Sequence, residues 1–416
     1  MNRRRRHHLR QTAGKSEDFE LPWWILNADE PKLADPELVP TGRLHSPHLV
    51  DTTAAFDDML RALAGAPAIA VDTESDSLYR YFHKVCLIQI STSEADYIVD
   101  PLRLPDVAGL GKIMADPRTE MVFHAAENDI LVMKRDLGFT FTNVFDTMLA
   151  ARILGWPRVS LAAVLEQRFG VTLDKRAQLT DWGRRPLSPD QLRYAALDTH
   201  FLLPLRGVLE RELRARHRWR EAQDAFAALP EAQYVEKPFD PDGFWHSKAA
   251  RALQPAELAV FRELYLWRDA EARARDCPPF KVMNDEALAR LSREQPRQLD
   301  DLPRSTRRDA FVSGAILDAV ARGRGASPPV PPRRSREDTQ RPDPTAVALY
   351  DRLRVWRSAR AAERGVDADV VLTNQALMAI ARAAPEGVEQ LAALGVLGAW
   401  KLEEYGSDLL AVVAEL

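Results

Sequence analysis

Apolar residues fall into short unbroken runs in the first half of the chain and into helix-spaced sets in the second. The run Ala68-Ile69-Ala70-Val71, just after Gly65 and Pro67, predicts a buried strand. It ends in Asp72-Thr73-Glu74. Before it, Asp51 or Thr52 can cap a helix through Ala64, with Gly65 as its stop. Val85–Ile90 and Tyr97-Ile98-Val99 are two further strands. The gaps between the three strands are too short for a helical crossover, so an antiparallel meander is expected. The pattern then alternates. Met121–His124 and Val144-Phe145 read as strands. Glu127–Leu137, Thr147–Leu154 and a Ser160-capped segment through Phe169 read as helices, ended by Gly138, Gly155 and Gly170. A meander followed by βαβα predicts an α/β fold, a mixed sheet with helices on its faces. Ser188-Pro189-Asp190-Gln191 is a capping box with proline at the first helical position, and it starts a helix carrying Tyr194 and Asp198 on one face.

The same pattern divides the chain. Residues 1–20 read as a disordered basic arm, and 21–50, with Trp23, Trp24 and several prolines, as an irregular arm packed by its aromatics. The arm and the α/β region together make a unit over 21–235. Helical units are expected over 246–325 and 343–416, joined by a Pro/Arg-rich linker over 326–342. The two units resemble each other. Leu264-Tyr265-Leu266-Trp267-Arg268 followed by Asn284 matches Leu353-Arg354-Val355-Trp356-Arg357 followed by Asn374, with the tryptophan-to-asparagine spacing differing by one residue.

Composition narrows the function classes. No stretch reaches the roughly 20 apolar residues of a membrane span, so no membrane partner is expected. The basic start Met1–His8 is not followed by an apolar segment, unlike a secretory signal. Cys86 and Cys277 are the only cysteines, which excludes a zinc ribbon or a disulfide framework and fits a cytoplasmic protein. A net charge of −4 excludes a global polycation, so any nucleic acid is bound by local patches and metals. No obligate protein partner is evident.

The chemistry gathers around acids. Alternate strand residues share a face, so Asp72 and Glu74 converge. Asp129 opens the helix after His124, and Asp198 lies on the capped helix. Like charges about 4 Å apart repel by roughly 4 kcal/mol at an effective dielectric near 20. Four carboxylates in one place therefore call for cations, and hard divalent ions take oxygen ligands. A pair of such ions is the usual apparatus for attack on a phosphodiester. Tyr194, one turn before Asp198, can orient a water, and with an ordinary phenol pKa it positions more readily than it deprotonates. Each residue has an ordinary alternative: a cap, a helix-start acid, a core tyrosine, a surface ion pair.

Taken together, Asp72-Thr73-Glu74, His124 through Asp129, and Tyr194-Ala195-Ala196-Leu197-Asp198 resemble the three exonuclease motifs of the DEDD superfamily, in its tyrosine-bearing branch. Leu87-Ile88-Gln89-Ile90-Ser91, Phe145-Asp146-Thr147, and Lys175, Gln178, Asp181-Trp182 and Arg185-Pro186-Leu187 narrow the likeness to the ribonuclease D family, and the helical repeats resemble HRDC domains. The resemblance covers residues 50–416. It implies a ribonuclease H-like fold and 3′→5′ hydrolysis of RNA to nucleoside 5′-monophosphates, with work on tRNA precursors. It makes Asp72, Glu74, Asp129 and Asp198 ligands of two divalent ions, Mg²⁺ or Mn²⁺, and Tyr194 the water-positioning residue. Substrate contacts are expected of His124, of Tyr79, Tyr81 and Phe82 by base stacking, and of Lys175, Gln178 and Arg185 by phosphate binding. The ordinary alternatives are a packed turn and structural ion pairs. Arg268, Lys281, Arg304, Arg307 and Arg308 are candidates for a backbone-binding patch, or else a solvated face. The competing functions are a DNA exonuclease in repair and a non-catalytic nucleic-acid adaptor.

Overall fold

Among the described residues six strands make one mixed sheet, and the acid-tipped run sits inside it with a neighbour on each side. The computed structural model describes residues 46–173, 176–304, 310–331 and 343–415. In chain order the sheet-bearing part contains β1 (His48–Val50), α1 (Thr53–Leu63), β2 (Ala68–Ser75), β3 (Val85–Ser91), β4 (Asp96–Val99), α2 (Ala108–Met114), β5 (Glu120–Phe123), α3 (Glu127–Leu137), β6 (Val144–Asp146), α4 (Thr147–Ile153), α5 (Leu161–Phe169), α6 (Pro189–His200), α7 (Leu202–Ala215) and α8 (Trp219–Ala227). The strand order is β1-β4-β3-β2-β5-β6. β2 pairs antiparallel with β3, as the short gaps required, and parallel with β5.

The period of two along β2 separates two cores. Ile69 and Val71 face a core completed by α1, α2 and α3 through Phe56, Met59, Leu110, Ile130 and Met133. Ala70 faces the other, with Val122, Phe145 and the apolar stripes of α4, α7 and α8. Side chains of this size contribute about 1.5–3 kcal/mol each when fully buried. The register therefore holds Asp72 and Glu74 on the second face, and a shift of the chain between Glu74 and Ser75 ends the regular ladder there.

Helix boundaries follow the local chemistry. Thr52 caps α1 by accepting from the Ala55 amide at 3.3 Å, and Gly138 and Gly170 close α3 and α5 in the left-handed conformation. The Ser188 capping box with Gln191 is formed. Two elements depart from the sequence reading. Residues 48–50 are an edge strand pairing parallel with β4, not part of an irregular arm. α2 was not anticipated. The basic arm, Trp23 and Trp24 lie outside the described residues.

The first helical unit has α9 (Pro255–Ala274), α10 (Pro279–Val282), α11 (Asp285–Glu294) and α12 (Ala310–Gly325) around Phe244, Phe261, Leu264, Leu288, Ile316 and Val320. α9 and α12 touch closely at Gly323, where a Cβ would stand 2.4 Å from the Val260 Cα. The second unit has helices Pro344–Arg364, Asn374–Ala383, Val388–Ala393 and Ala399–Ala414 around Leu353, Leu377, Ile380, Tyr405 and Leu409.

The duplication is visible atom by atom. Arg268 donates to the Met283 carbonyl at 3.0 Å and to Asp285 at 2.6 Å. Arg357 donates to the Leu372 carbonyl at 2.8 Å and to Asn374 at 2.9 Å. Asp285, not Asn284, is thus the counterpart of Asn374. Asn284 corresponds to the helix-capping Thr373, and the one-residue difference in spacing disappears. Arg268 is 8 % exposed and holds its own unit together, which removes it from any nucleic-acid patch.

Candidate active site

The site lies at the carboxyl ends of β2 and β5. Asp72 and Glu74 arrive on β2. Asp129 comes from the first turn of α3, on one side of the sheet, and Asp198 from α6, on the other. Asp129 and Asp198 are 7 % and 4 % exposed, so they stand largely out of water. Thr73, on the opposite face of β2 from its neighbours, donates its hydroxyl to Asp129 and so ties the helix to the strand.

The turn into α3 is built from a distance. Asp146, at the end of β6, accepts from the backbone amides of Ala125 at 3.1 Å and Ala126 at 2.8 Å, and from Met148 and Leu149 at the start of α4. Ala125 is held at φ +68°, a left-handed conformation that costs a non-glycine residue about 1 kcal/mol or more. Asp146 therefore positions Asp129 without being near enough in sequence for that role to be read. Its only sequence sign was the Phe145-Asp146-Thr147 likeness.

The electrostatics are those of crowded acids. Burial, then Asp129, Asp198 and Glu74, hold Asp72 well above the usual carboxylate range. Burial, then Asp198 and Asp129, push Glu74 to about 9. Burial pushes Asp198 to about 8, against the hydrogen bond from Tyr194, and Asp129 to about 6, against the Thr73 hydroxyl. As they stand, no three His, Cys, Asp or Glu side chains among the described residues are drawn into a coordination shell. The donor set nonetheless suits a hard divalent cation, because each group is a carboxylate whose charge has no basic partner among the interactions that shift it.

Tyr194 is 5 % exposed. Its hydroxyl donates to Asp198 and takes a hydrogen bond from Gln178, and burial raises its pKa. Burial thus favours the protonated phenol, the form that can hydrogen-bond a water. Gln178, Tyr194 and Asp198 line a cavity of about 230 Å³ with Ser160, Leu161 and Leu173.

The expected substrate contacts divide. Gln178 lines the cavity of Tyr194 and is itself exposed to solvent, so it keeps a surface from which a phosphate could be met. Arg185 grips Asp100 with two nitrogens, at 2.5 and 2.8 Å, and the carbonyls of Cys86 and Trp182 at 3.0 and 2.6 Å. That is a structural ion pair, and it corrects the expectation of a phosphate contact. His124 lies just beyond β5, its Nδ1 2.9 Å from the Thr147 hydroxyl, and burial holds its pKa down. Tyr79 and Tyr81 do not present bare faces. Lys281 lies 3.5 Å from the centre of the Tyr79 ring, and Arg273 stands over Tyr81, whose hydroxyl donates to Asp269 at 2.9 Å. Phe82 is 57 % exposed. Lys175, Arg307 and Arg308 lie outside the described residues.

Acids from opposite faces of a mixed sheet, beside a buried phenol, define an exonuclease of the DEDD kind, and the comparisons agree. Residues 47–214 match the family described as 3′-5′ exonuclease, and residues 257–307 and 346–413 match the HRDC domain. Ribonuclease D of Gluconacetobacter diazotrophicus is 30% identical, over 88% of this chain and 92% of its own. Ribonuclease D of Nitrobacter hamburgensis is 28% identical, over 88% of this chain and 94% of its own. The chain belongs to the ribonuclease D family. The exosome complex exonuclease RRP6 of Saccharomyces cerevisiae is 37% identical, but over 59% of this chain and 36% of its own length. The solved catalytic core of RRP6 from Trypanosoma brucei superimposes with a TM-score of 0.60 at 27% identity, covering 70% of this chain and 86% of its own. Escherichia coli RNase D, at 24% identity and a TM-score of 0.59 over 89% of this chain and 99% of its own, shares the fold. The ribonuclease H-like mixed sheet followed by HRDC-type helical units is thus the architecture present. Membership implies dependence on a divalent metal. No helix among the described residues is long and apolar enough to cross a membrane.

Proposed function

We propose that this chain hydrolyses RNA from the 3′ end, one nucleotide at a time, releasing nucleoside 5′-monophosphates in the cytoplasm. Asp72, Glu74, Asp129 and Asp198 hold the cations, and the number proposed is two, Mg²⁺ or Mn²⁺. Bound there, such ions supply charge to activate a water and to stabilise the leaving oxygen. Tyr194 orients that water through its hydroxyl, while Gln178 and Asp198 fix the phenol's direction. Phe82 stays a candidate for stacking on a terminal base, and His124 and Lys175 for contact with the substrate. The relatives named ribonuclease D support RNA as the polymer. The proposed natural substrates are tRNA precursors carrying residues beyond the mature 3′ end. The observation that carries this reading is the pairing of a buried, protonated Tyr194 with Asp198 beside three further carboxylates.

The test uses RNA and DNA oligonucleotides of matched sequence, labelled at the 3′ or the 5′ end. Early loss of a 3′ label as a mononucleotide, with a ladder from the 5′ label and slower digestion of DNA, is expected. Faster digestion of DNA overturns the choice of polymer. Binding without digestion leaves an adaptor.

A further inference from the structure

The loop between β2 and β3 leaves the active-site strand and is met by the first helical unit. Asp276, just after α9, accepts from the backbone amides of Tyr81 and Phe82 at 3.1 and 3.0 Å. Lys281 on α10 caps the ring of Tyr79. The Tyr79 hydroxyl donates to the Leu179 carbonyl at 2.6 Å, a hundred residues along the chain. Leu179 ends a single 3-10 turn, Ala177–Leu179, which carries Gln178. The other side of that turn is tied to α6, where Gln191 donates to the Thr180 hydroxyl at 3.2 Å. The turn is thus held between the helix that bears Tyr194 and a loop fixed by the helical unit.

We propose that Tyr79 is a positioning residue for the reaction: held by Lys281, it fixes the Ala177–Leu179 turn so that Gln178 stands against Tyr194 in the cavity they share. The first helical unit then does more than widen the binding surface. It sets the aim of the phenol through a relay of Lys281, Tyr79, the Leu179 carbonyl and Gln178. The hydroxyl of Tyr79 matters in this relay, because the ring alone cannot hold a carbonyl. The inference rests on the proposed role of Tyr194 as the water-orienting group.

Stacking and positioning make opposite demands on Tyr79, so substitutions separate them. Base stacking needs the ring and tolerates Tyr79→Phe. Positioning needs the hydroxyl. Full-length protein is assayed on a short single-stranded RNA with a free 3′ end, as wild type, Tyr194→Phe, Tyr79→Phe, Gln178→Ala and the Tyr79→Phe/Gln178→Ala pair. Tyr79→Phe is expected to lower kcat about five- to tenfold, the loss of one well-placed hydrogen bond, with KM unchanged within about twofold. The double variant should be no worse than Gln178→Ala by more than about twofold, because both changes break one relay. Lys281→Ala should lower kcat in the same direction, and Lys281→Arg should restore most of it. A Tyr79→Phe that matches wild type, or losses that multiply in the double variant, would overturn the proposal. A Tyr194→Phe as active as wild type would instead remove the reading on which it rests. Circular dichroism and the melting temperature of each variant serve to separate loss of aim from loss of fold.

Discussion

Thr73 and Asp129, 56 residues apart, are joined by a hydrogen bond from the threonine hydroxyl to the aspartate carboxylate. The bond crosses from the strand that carries two of the acids to the helix that carries the third. It also favours the charged form of Asp129, against the burial that raises its pKa. Removing it should make Asp129 harder to ionise. Thr73→Val is expected to raise the Mg²⁺ or Mn²⁺ concentration for half-maximal digestion by about tenfold, the lower range for lost outer partners of a metal ligand. Thr73→Ser should stay close to wild type. Metal titrations of the initial rate check both.

Loss of an acid itself should be more severe. Asp72→Asn or Asp198→Ala is expected to reduce digestion by more than about a hundredfold, beyond what outer partners cost. Retention of RNA in a gel-shift should persist, since the helical units remain. Digestion unchanged in both variants would remove these residues from the chemistry.

EDTA should stop digestion, and Mg²⁺ or Mn²⁺ added back should restore it, because the donor set is all oxygen. Residual activity after exhaustive chelation is the outcome that contradicts the cation assignment.

The raised carboxylates set a pH trend for the metal-free protein. Glu74 near 9, Asp198 near 8 and Asp129 near 6 hold protons that the unfolded chain, with carboxyl pKa values of about 4, has released. The folded state therefore binds more protons across this window, and its stability falls as pH rises from about 4 towards 9. A bound divalent cation displaces those protons and flattens the fall. Melting temperatures across this range, in EDTA and in Mn²⁺, should diverge most at the alkaline end.

The second helical unit is fastened to α8 by a buried ion pair between Arg364 and Glu221, a carboxylate only 2 % exposed. Arg218 adds a hydrogen bond to the Arg364 carbonyl at 2.7 Å. Arg364→Ala strands Glu221 in a dry setting and should destabilise this junction by about 3–5 kcal/mol. Replacing both partners with apolar residues should recover much of that. Limited proteolysis between the units, with melting curves, reports the loosening.

Much of this arrangement was legible in the residues. Strand-end acids, glycine stops and the Ser188 capping box depend on neighbours in sequence, and each lies where local chemistry put it. What was hidden depends on partners far along the chain. β1 is three residues long and too short for a period to emerge, so only pairing with β4 defines it. α2 carries Gly109 and Gly111, which weaken a helix signal, and α1 and Phe139 crowd against them. Arg185 resembled a phosphate ligand because Asp100, its partner, lies 85 residues away. Arg268 looked like a surface charge because its neighbour Trp267 gave no hint that the guanidinium turns inward.

The capping box at Ser188 has a last implication for heredity. Tyr194 and Asp198 ride one rod whose near end that cap secures. Anything that tilts the rod moves both groups together. Natural variants at Ser188 or Gln191 should accordingly differ in how fast they work, while the choice of polymer stays the same.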